Sequence, residues 1–247
     1  MLDGKVVVVT GGSRGLGRAM SGALSAAGAT VVIASRSAQA CEATAAELSA
    51  QTGNPVLGVG CHVGHWADCD ALVERVHAEF GRVDVLVNNA GVAPPTGSLA
   101  DITEELWDKV QAVNLKGPFR LASLIGSHMA ETDAGGAIVN ISSVGAVMPS
   151  GHELAYSTAK AGVINLTQGL ARALAPKVRV NCIVAGPFLS GMSRHWSERQ
   201  HDRLRRLTPL GRAGEPDEIV GALLYFVGDS ASFTTGAVLK VDGGMAW

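Results

Sequence analysis

Val6-Val7-Val8-Val9-Thr10-Gly11-Gly12-Ser13-Arg14-Gly15-Leu16-Gly17 carries three structural signals in one short run. Four valines without polar alternation read as a strand buried on both faces, the habit of a parallel sheet. The glycines that follow permit a tight turn, and over 16–27 the apolar spacing becomes helical before stopping at Gly28. Strand, glycine turn and helix in succession open a βαβ unit.

Outward from that run the same alternation repeats. Strands are predicted over 30–34, 56–61, 83–87, 137–141, 178–184 and 237–241, and helices over 38–50, 67–80, 155–175 and 216–227, with a helical segment at 103–130. Right-handed crossovers between parallel strands then give an open, doubly wound α/β sheet of seven strands with helices on both faces. No linker interrupts the alternation, so residues 1–247 read as one domain, with 188–212 as a segment covering the substrate.

Composition fits that picture. The chain has 247 residues, 47% of them hydrophobic, and a formal net charge of -2. Neither nucleic acid nor an anionic membrane is indicated as a partner. A basic leader with an apolar segment and a bilayer-length apolar run are both absent from the sequence, which reads as soluble and cytoplasmic. Cys41, Cys61, Cys69 and Cys182 lack C-x-x-C spacing and read as reduced, buried thiols; no metal site is expected.

In a doubly wound sheet, ligands bind beyond the carboxyl ends of the strands. The Gly-x-x-x-Gly-x-Gly spacing of Gly11, Gly15 and Gly17 lets backbone approach a pyrophosphate, and the following helix offers free N–H groups and a partial positive charge. A tight bend alone is the other reading. At the end of the second strand Ser35-Arg36 offers no carboxylate for a ribose hydroxyl, while Arg36 and Arg14 supply cations for a 2'-phosphate. That favours NADP(H) over NAD(H), although either arginine also reads as a solvated surface charge.

Tyr156 and Lys160, four residues apart, share one face of a helix. A cation held near a phenol favours the phenolate, and the pair so tuned can exchange protons with a substrate oxygen. A half-buried tyrosine with a snorkelling lysine is the alternative on those residues alone.

Together these motifs resemble the short-chain dehydrogenase/reductase family from Gly4 to Gly244. The resemblance rests on Thr10 to Gly17, Asn88-Asn89-Ala90-Gly91, Asn114, Ser143 standing thirteen residues before Tyr156, Lys160, and Val241-Asp242-Gly243-Gly244. It implies hydride transfer between a nicotinamide and a ketone, aldehyde or alcohol, with Tyr156 as general acid and base. Lys160 would lower the tyrosine pKa and bond the nicotinamide ribose. Ser143 would donate to the substrate oxygen, and Asn114 would hold a water linking Lys160 to solvent. Ser142 competes with Ser143 as a strand-end hydroxyl, and Asn114 also reads as a polar cap. The cofactor set comprises Gly11, Ser13, Arg14, Gly15, Leu16, Gly17, Ser35, Arg36, His62, Val63, Asn89, Ala90, Gly91, Tyr156, Lys160, Phe188 and Ser190.

Two departures stand out. His62 occupies the place where the family commonly has an aspartate for the adenine, and it reads either as a ring-nitrogen contact or as an exposed residue. After the sixth strand Ala185-Gly186-Pro187-Phe188-Leu189-Ser190 displaces the usual proline and puts serine for threonine. Pro94, Pro95, Met148, His152, Glu153 and Trp196 are pocket candidates by location, without assigned chemistry. Arg194, Arg199, Arg203, Arg205 and Arg206 read as a solvated helix face or as a site for an anionic substrate or phosphopantetheine carrier.

The nearest named relatives by pattern are 3-oxoacyl-(acyl-carrier-protein) reductases, which stand as runner-up to a broader NADPH-linked carbonyl reductase or alcohol dehydrogenase; the substrate expected is a small carbonyl or alcohol compound, or an acyl thioester. Arg172 matches one of their basic docking positions, whereas His128-Met-Ala-Glu-Thr-Asp133 is acidic where that subfamily is basic. An isomerase or dehydratase and a non-catalytic NADP-sensing regulator are the rival classes. The resemblance also implies a homotetramer.

Overall fold

A computed structural model describes residues 2–94, 96–189 and 198–245. Seven parallel strands lie in the order β3-β2-β1-β4-β5-β6-β7. They are β1 (Val6–Thr10), β2 (Thr30–Ser35), β3 (Val56–Gly60), β4 (Val85–Asn88), β5 (Gly136–Ser143), β6 (Val178–Ala185) and β7 (Val238–Val241). The α-helices are α1 (Gly15–Ala26), α2 (Ala38–Thr52), α3 (Trp66–Phe80), α4 (Glu104–Gln111), α5 (Gly117–Glu131), α6 (Leu154–Ala173), α7 (Glu198–Leu207) and α8 (Val220–Val227). The doubly wound α/β arrangement expected from the alternation is therefore what forms.

The valine run explains how. Successive side chains of β1 point to opposite faces, so Val6 and Val8 join a core with α3 and α5, while Val7 and Val9 join one with α1, α2 and α8. Every residue of β1 is buried. Burying one such side chain stabilises by about 1.5–3 kcal/mol, which is why the central strand tolerates no polar alternation. The chain winds outward from β1 to β3 and then crosses back to β4 on the other side of β1. That reversal opens a crevice above the β1–β4 pair.

Two sequence expectations change. The predicted strand over 83–87 starts two residues late, because Asp84 is buried at the foot of the sheet. Its carboxylate pairs with Lys5 and Arg82 and accepts the Val6 N–H at 2.9 Å. The helical segment 103–130 is two helices joined by a π-helical turn, Ala112–Lys116. There Gly117 presses on the loop after β3, where a Cβ would stand 2.1 Å from the Val63 carbonyl oxygen. The last strand forms as expected at the sheet edge, where Val238 and Leu239 are 37% and 40% exposed.

Of the covering segment 188–212, residues 190–197 lie outside the described residues, and with them Ser190, Arg194 and Trp196; Pro95 lies outside too. Before them, Phe188 is buried against the α8 side of the sheet, and the Leu189 N–H donates to the Gly214 carbonyl at 2.8 Å. The four cysteines are free and buried. Among the described residues no helix is long and apolar enough to cross a membrane, and no cluster of three His, Cys, Asp or Glu side chains could hold a metal.

Candidate active site

The crevice is closed at its floor by Thr10, the last residue of β1. Its hydroxyl donates to the Val87 carbonyl at 3.3 Å and accepts the N–H groups of Asn89 and Ala90 at 3.0 and 3.1 Å. Asn89 returns the contact by donating from Nδ2 to the Thr10 carbonyl at 2.9 Å. One hydroxyl thus aligns the turn after β1 with the turn after β4. Thr10 lay within the quoted motif, but its role there is visible only once the two strands are neighbours.

Gly11, Ser13, Arg14, Gly15, Leu16 and Gly17 form the turn into α1. Gly11 and Gly15 have φ of 66° and 53°, a region that side chains disfavour. At Gly17 a Cβ would stand 2.1 Å from the Gly11 carbonyl oxygen and 2.6 Å from Asn89 Nδ2. No side chain caps α1 and no acidic residue sits in its first turn, so its leading N–H groups and positive pole face the crevice uncompensated. This cradle fits a pyrophosphate.

The ribose and adenine positions line the same edge. Ser13 and Ser35 hydroxyls are 3.0 Å apart, and Arg14 and Arg36 are exposed beside them without an ion-pair partner among the described residues. His62 is half-buried beyond β3 and stacks on His65 with ring centroids 4.2 Å apart. Its Nδ1 accepts the Gly64 N–H at 3.2 Å, so the neutral ring carries its proton on Nε2 and offers a donor where a carboxylate would accept. Asp68, six residues on, accepts the His62 backbone N–H instead at 3.0 Å. Val63 is buried next to it.

At the reacting end β5, β4 and α6 converge. Ser142 is spent: its hydroxyl donates to the Lys160 carbonyl at 2.8 Å, inside the core. Ser143, one residue on, caps the turn after β5 by accepting the Gly145 N–H at 3.2 Å, and its hydroxyl opposes the effect of burial on the Tyr156 phenol. Lys160 is 4% exposed and donates from Nζ to the Ile141 carbonyl at 2.8 Å, with Nζ 5.8 Å from the Tyr156 ring centroid. Burial lowers the Lys160 pKa to about 8.

The sequence reading has the lysine pulling the tyrosine pKa down, and here the balance runs the other way. Burial raises the Tyr156 pKa above its ordinary value; the Ser143 hydrogen bond opposes that, and the Glu153 carboxylate adds to it. Lys160, itself pushed toward neutrality and committed to the Ile141 carbonyl, is not among the groups that offset the cost. Glu153 was a pocket candidate without chemistry; its place three residues before Tyr156 on one helix face was the available signal.

Asn114 sits in the π-helical turn, fully buried. Such turns widen a helix locally and recur at functional sites. Its Oδ1 accepts the Val92 N–H at 3.2 Å, and Nδ2 donates to the Val92 and Val110 carbonyls, both at 2.9 Å. Gly91 keeps the space between it and the lysine: a Cβ there would meet Asn114 Oδ1 at 2.9 Å and Lys160 Nζ at 3.7 Å. Behind them Asn88, Asn140 and Thr167 form a buried chain of hydrogen bonds from β4 through β5 to α6, at 2.9 and 3.0 Å. Phe188 is buried on the α8 side of the sheet and bridged to Gly214; Ser190 lies outside the described residues.

A family model described as enoyl-(acyl carrier protein) reductase matches residues 11–246. The chain is 37% identical to D-threitol dehydrogenase of Mycolicibacterium smegmatis, over 98% of this chain and 93% of that one. It is 36% identical to a 3-oxoacyl-(acyl-carrier-protein) reductase of Chlamydia trachomatis, over 100% and 99%. A crystal structure of a putative short-chain alcohol dehydrogenase from Sinorhizobium meliloti superposes with a TM-score of 0.94 at 32% identity, covering 99% of this chain and 97% of that one.

Proposed function

We propose that this chain, which belongs to the short-chain dehydrogenase/reductase family, interconverts a ketone or aldehyde and an alcohol with NADP(H), Tyr156 serving as general acid and base. The observation that carries the reading is the meeting of Ser143, Tyr156 and Lys160 at the carboxyl edge of the sheet, beside Gly91 and above the glycine cradle.

Bound NADPH supplies the hydride. The chain would supply donors where negative charge grows on the substrate oxygen, the hydroxyls of Ser143 and Tyr156. Because its pKa lies above the ordinary value, Tyr156 stands protonated at neutral pH, ready to give a proton in reduction. Lys160, near its own midpoint at pH about 8, can refill that proton along the polar gap that Gly91 leaves toward Asn114. Arg14 and Arg36 support the 2'-phosphate form of the nucleotide over NAD(H).

The test is NADPH oxidation by purified protein against a panel of ketones and acyl thioesters. The Tyr156→Phe variant is expected to lose about a thousandfold or more in turnover while NADPH binding stays within roughly threefold. Undiminished turnover by that variant ends the mechanism.

Reduction of a 3-oxoacyl-(acyl-carrier-protein) is the second reading, favoured by the 36% identical relative and by Arg172, exposed on α6. Against it, Asp133 in the acidic stretch is fully exposed and takes Lys177 at 2.9 Å, a pairing unsuited to an acidic carrier. Assembly as a homotetramer is part of the proposal. Apolar groups stand exposed on α4 and α5 (Trp107 and Phe119) and along β7 with Phe233, more than a monomer needs to show. Light scattering of the eluted protein should give four times the 25.3 kDa chain mass, and a monomer mass would refute it.

A further inference from the structure

Beside Tyr156 lies a corner of about 10 Å³, room for about one water. Ile102 and Leu106 make its apolar wall, and Thr96, His152 and Glu153 its polar one. A space this small receives one substituent of a substrate.

The polar groups are not equally free. Thr96 is spent on the facing loop: its N–H and hydroxyl donate to the His152 carbonyl at 3.1 and 3.0 Å, and its own carbonyl faces His152 Nδ1 at 3.3 Å. A carbonyl only accepts, so Nδ1 bears the proton and Nε2 of the neutral ring is left as an acceptor. Glu153 is the N-cap residue of α6, yet its side chain makes no capping hydrogen bond. Among the described residues it forms no ion pair either. The corner therefore presents acceptors, one of them a carboxylate, to a group the size of a water.

We propose, resting on the carbonyl-reductase reading above, that this corner takes the hydroxyl of an α-hydroxy ketone, and of the matching vicinal diol in oxidation, with Glu153 the specificity-determining acceptor. A hydroxyl on the carbon next to the carbonyl is small enough for the space and brings the donor its walls lack. A methyl in its place leaves the carboxylate unpaired. A carboxylate in its place meets like charge, so 2-oxo acids are refused. Arg205 of α7 does not reverse this, since it is held by Asp202 at 2.7 Å.

Three ketones of one carbon frame test it: butan-2-one, 1-hydroxybutan-2-one and 2-oxobutanoate, each with NADPH. A hydrogen bond to a charged acceptor predicts kcat/KM for the hydroxy ketone about tenfold or more above the plain ketone, with the oxo acid lowest. In Glu153→Leu the hydroxy-to-plain ratio falls to about one. Glu153→Gln, which keeps the shape and an acceptor oxygen, retains part of the ratio and relieves the penalty on the oxo acid. Removing the charge beside Tyr156 also moves the rise of butane-1,2-diol oxidation with pH to lower pH, since oxidation needs the tyrosine deprotonated and Glu153 opposes that, a shift that loss of packing would not produce. Equal use of the three ketones, or a ratio preserved in Glu153→Leu, overturns the role of the corner and leaves the carbonyl-reductase reading standing. A protein that binds NADPH and reduces none of the three overturns both.

Discussion

At the turn after β1 the chain meets itself through missing side chains, with Gly17 pressed on the Gly11 carbonyl and an uncapped helix end facing the crevice. Where β5 meets α6 the same crevice is lined by side chains that are present: half-buried Ser143 and Tyr156 and buried Lys160, backed by Asn114. Both ends handle charge, but in different ways. Backbone N–H groups have no pKa and hold an anion at any pH, whereas the tyrosine and lysine exchange protons because burial has moved them off their ordinary values. Substitutions should therefore act sterically at one end and through protonation at the other.

The largest effect expected at the backbone end comes from Gly17→Ala. The added methyl must displace the Gly11 carbonyl or Asn89, so NADPH affinity should fall by about a hundredfold or more and the protein should lose several kcal/mol of stability. Fluorescence titration and urea unfolding would measure both. Gly53 is the control, with φ of 75° but open space around it. Gly53→Ala should cost only about 1 kcal/mol and leave binding alone, and equal damage at the two sites would erase the contrast.

At the protonation end, Lys160 titrates at about 8 when folded and at about 10.4 when unfolded. Between those values the unfolded chain binds more protons, so this group makes stability rise with pH through that window. The full cost of burying the ammonium is present below it. The stability of Lys160→Met relative to the native chain should therefore fall by roughly 3 kcal/mol as pH rises from about 8 to about 10.4. Urea unfolding of both proteins at the two ends of the range reads this directly, and a pH-independent difference would mean the lysine is not buried as described.

The smallest effect belongs to the rim. Arg36→Ala should weaken NADPH by about tenfold and NADH by less than about twofold, since only the 2'-phosphate distinguishes them. Equal weakening of both nucleotides would place Arg36 elsewhere in the site.

Legibility in the sequence followed the same division. The βαβ alternation and the glycine spacing were readable because period and turn chemistry are local. So was the serine interval to Tyr156, once a resemblance supplied its meaning. The π-helical turn at Asn114 was read as uninterrupted helix, since its widening comes from packing against Val92 and the loop after β3. Thr10 and Asp84 tie together strands some eighty residues apart in the chain, and no local pattern marks such partners.

From its sequence alone this protein was committed to an open parallel sheet with a backbone cradle at the end of β1, because glycine spacing and unbroken apolar runs leave few other structures. Which hydroxyl is spent on the helix and which faces the crevice was decided only when β5 and α6 packed. The direction of the Tyr156 shift was decided there too, because desolvation sums over every element around a group and no stretch of chain carries that sum by itself.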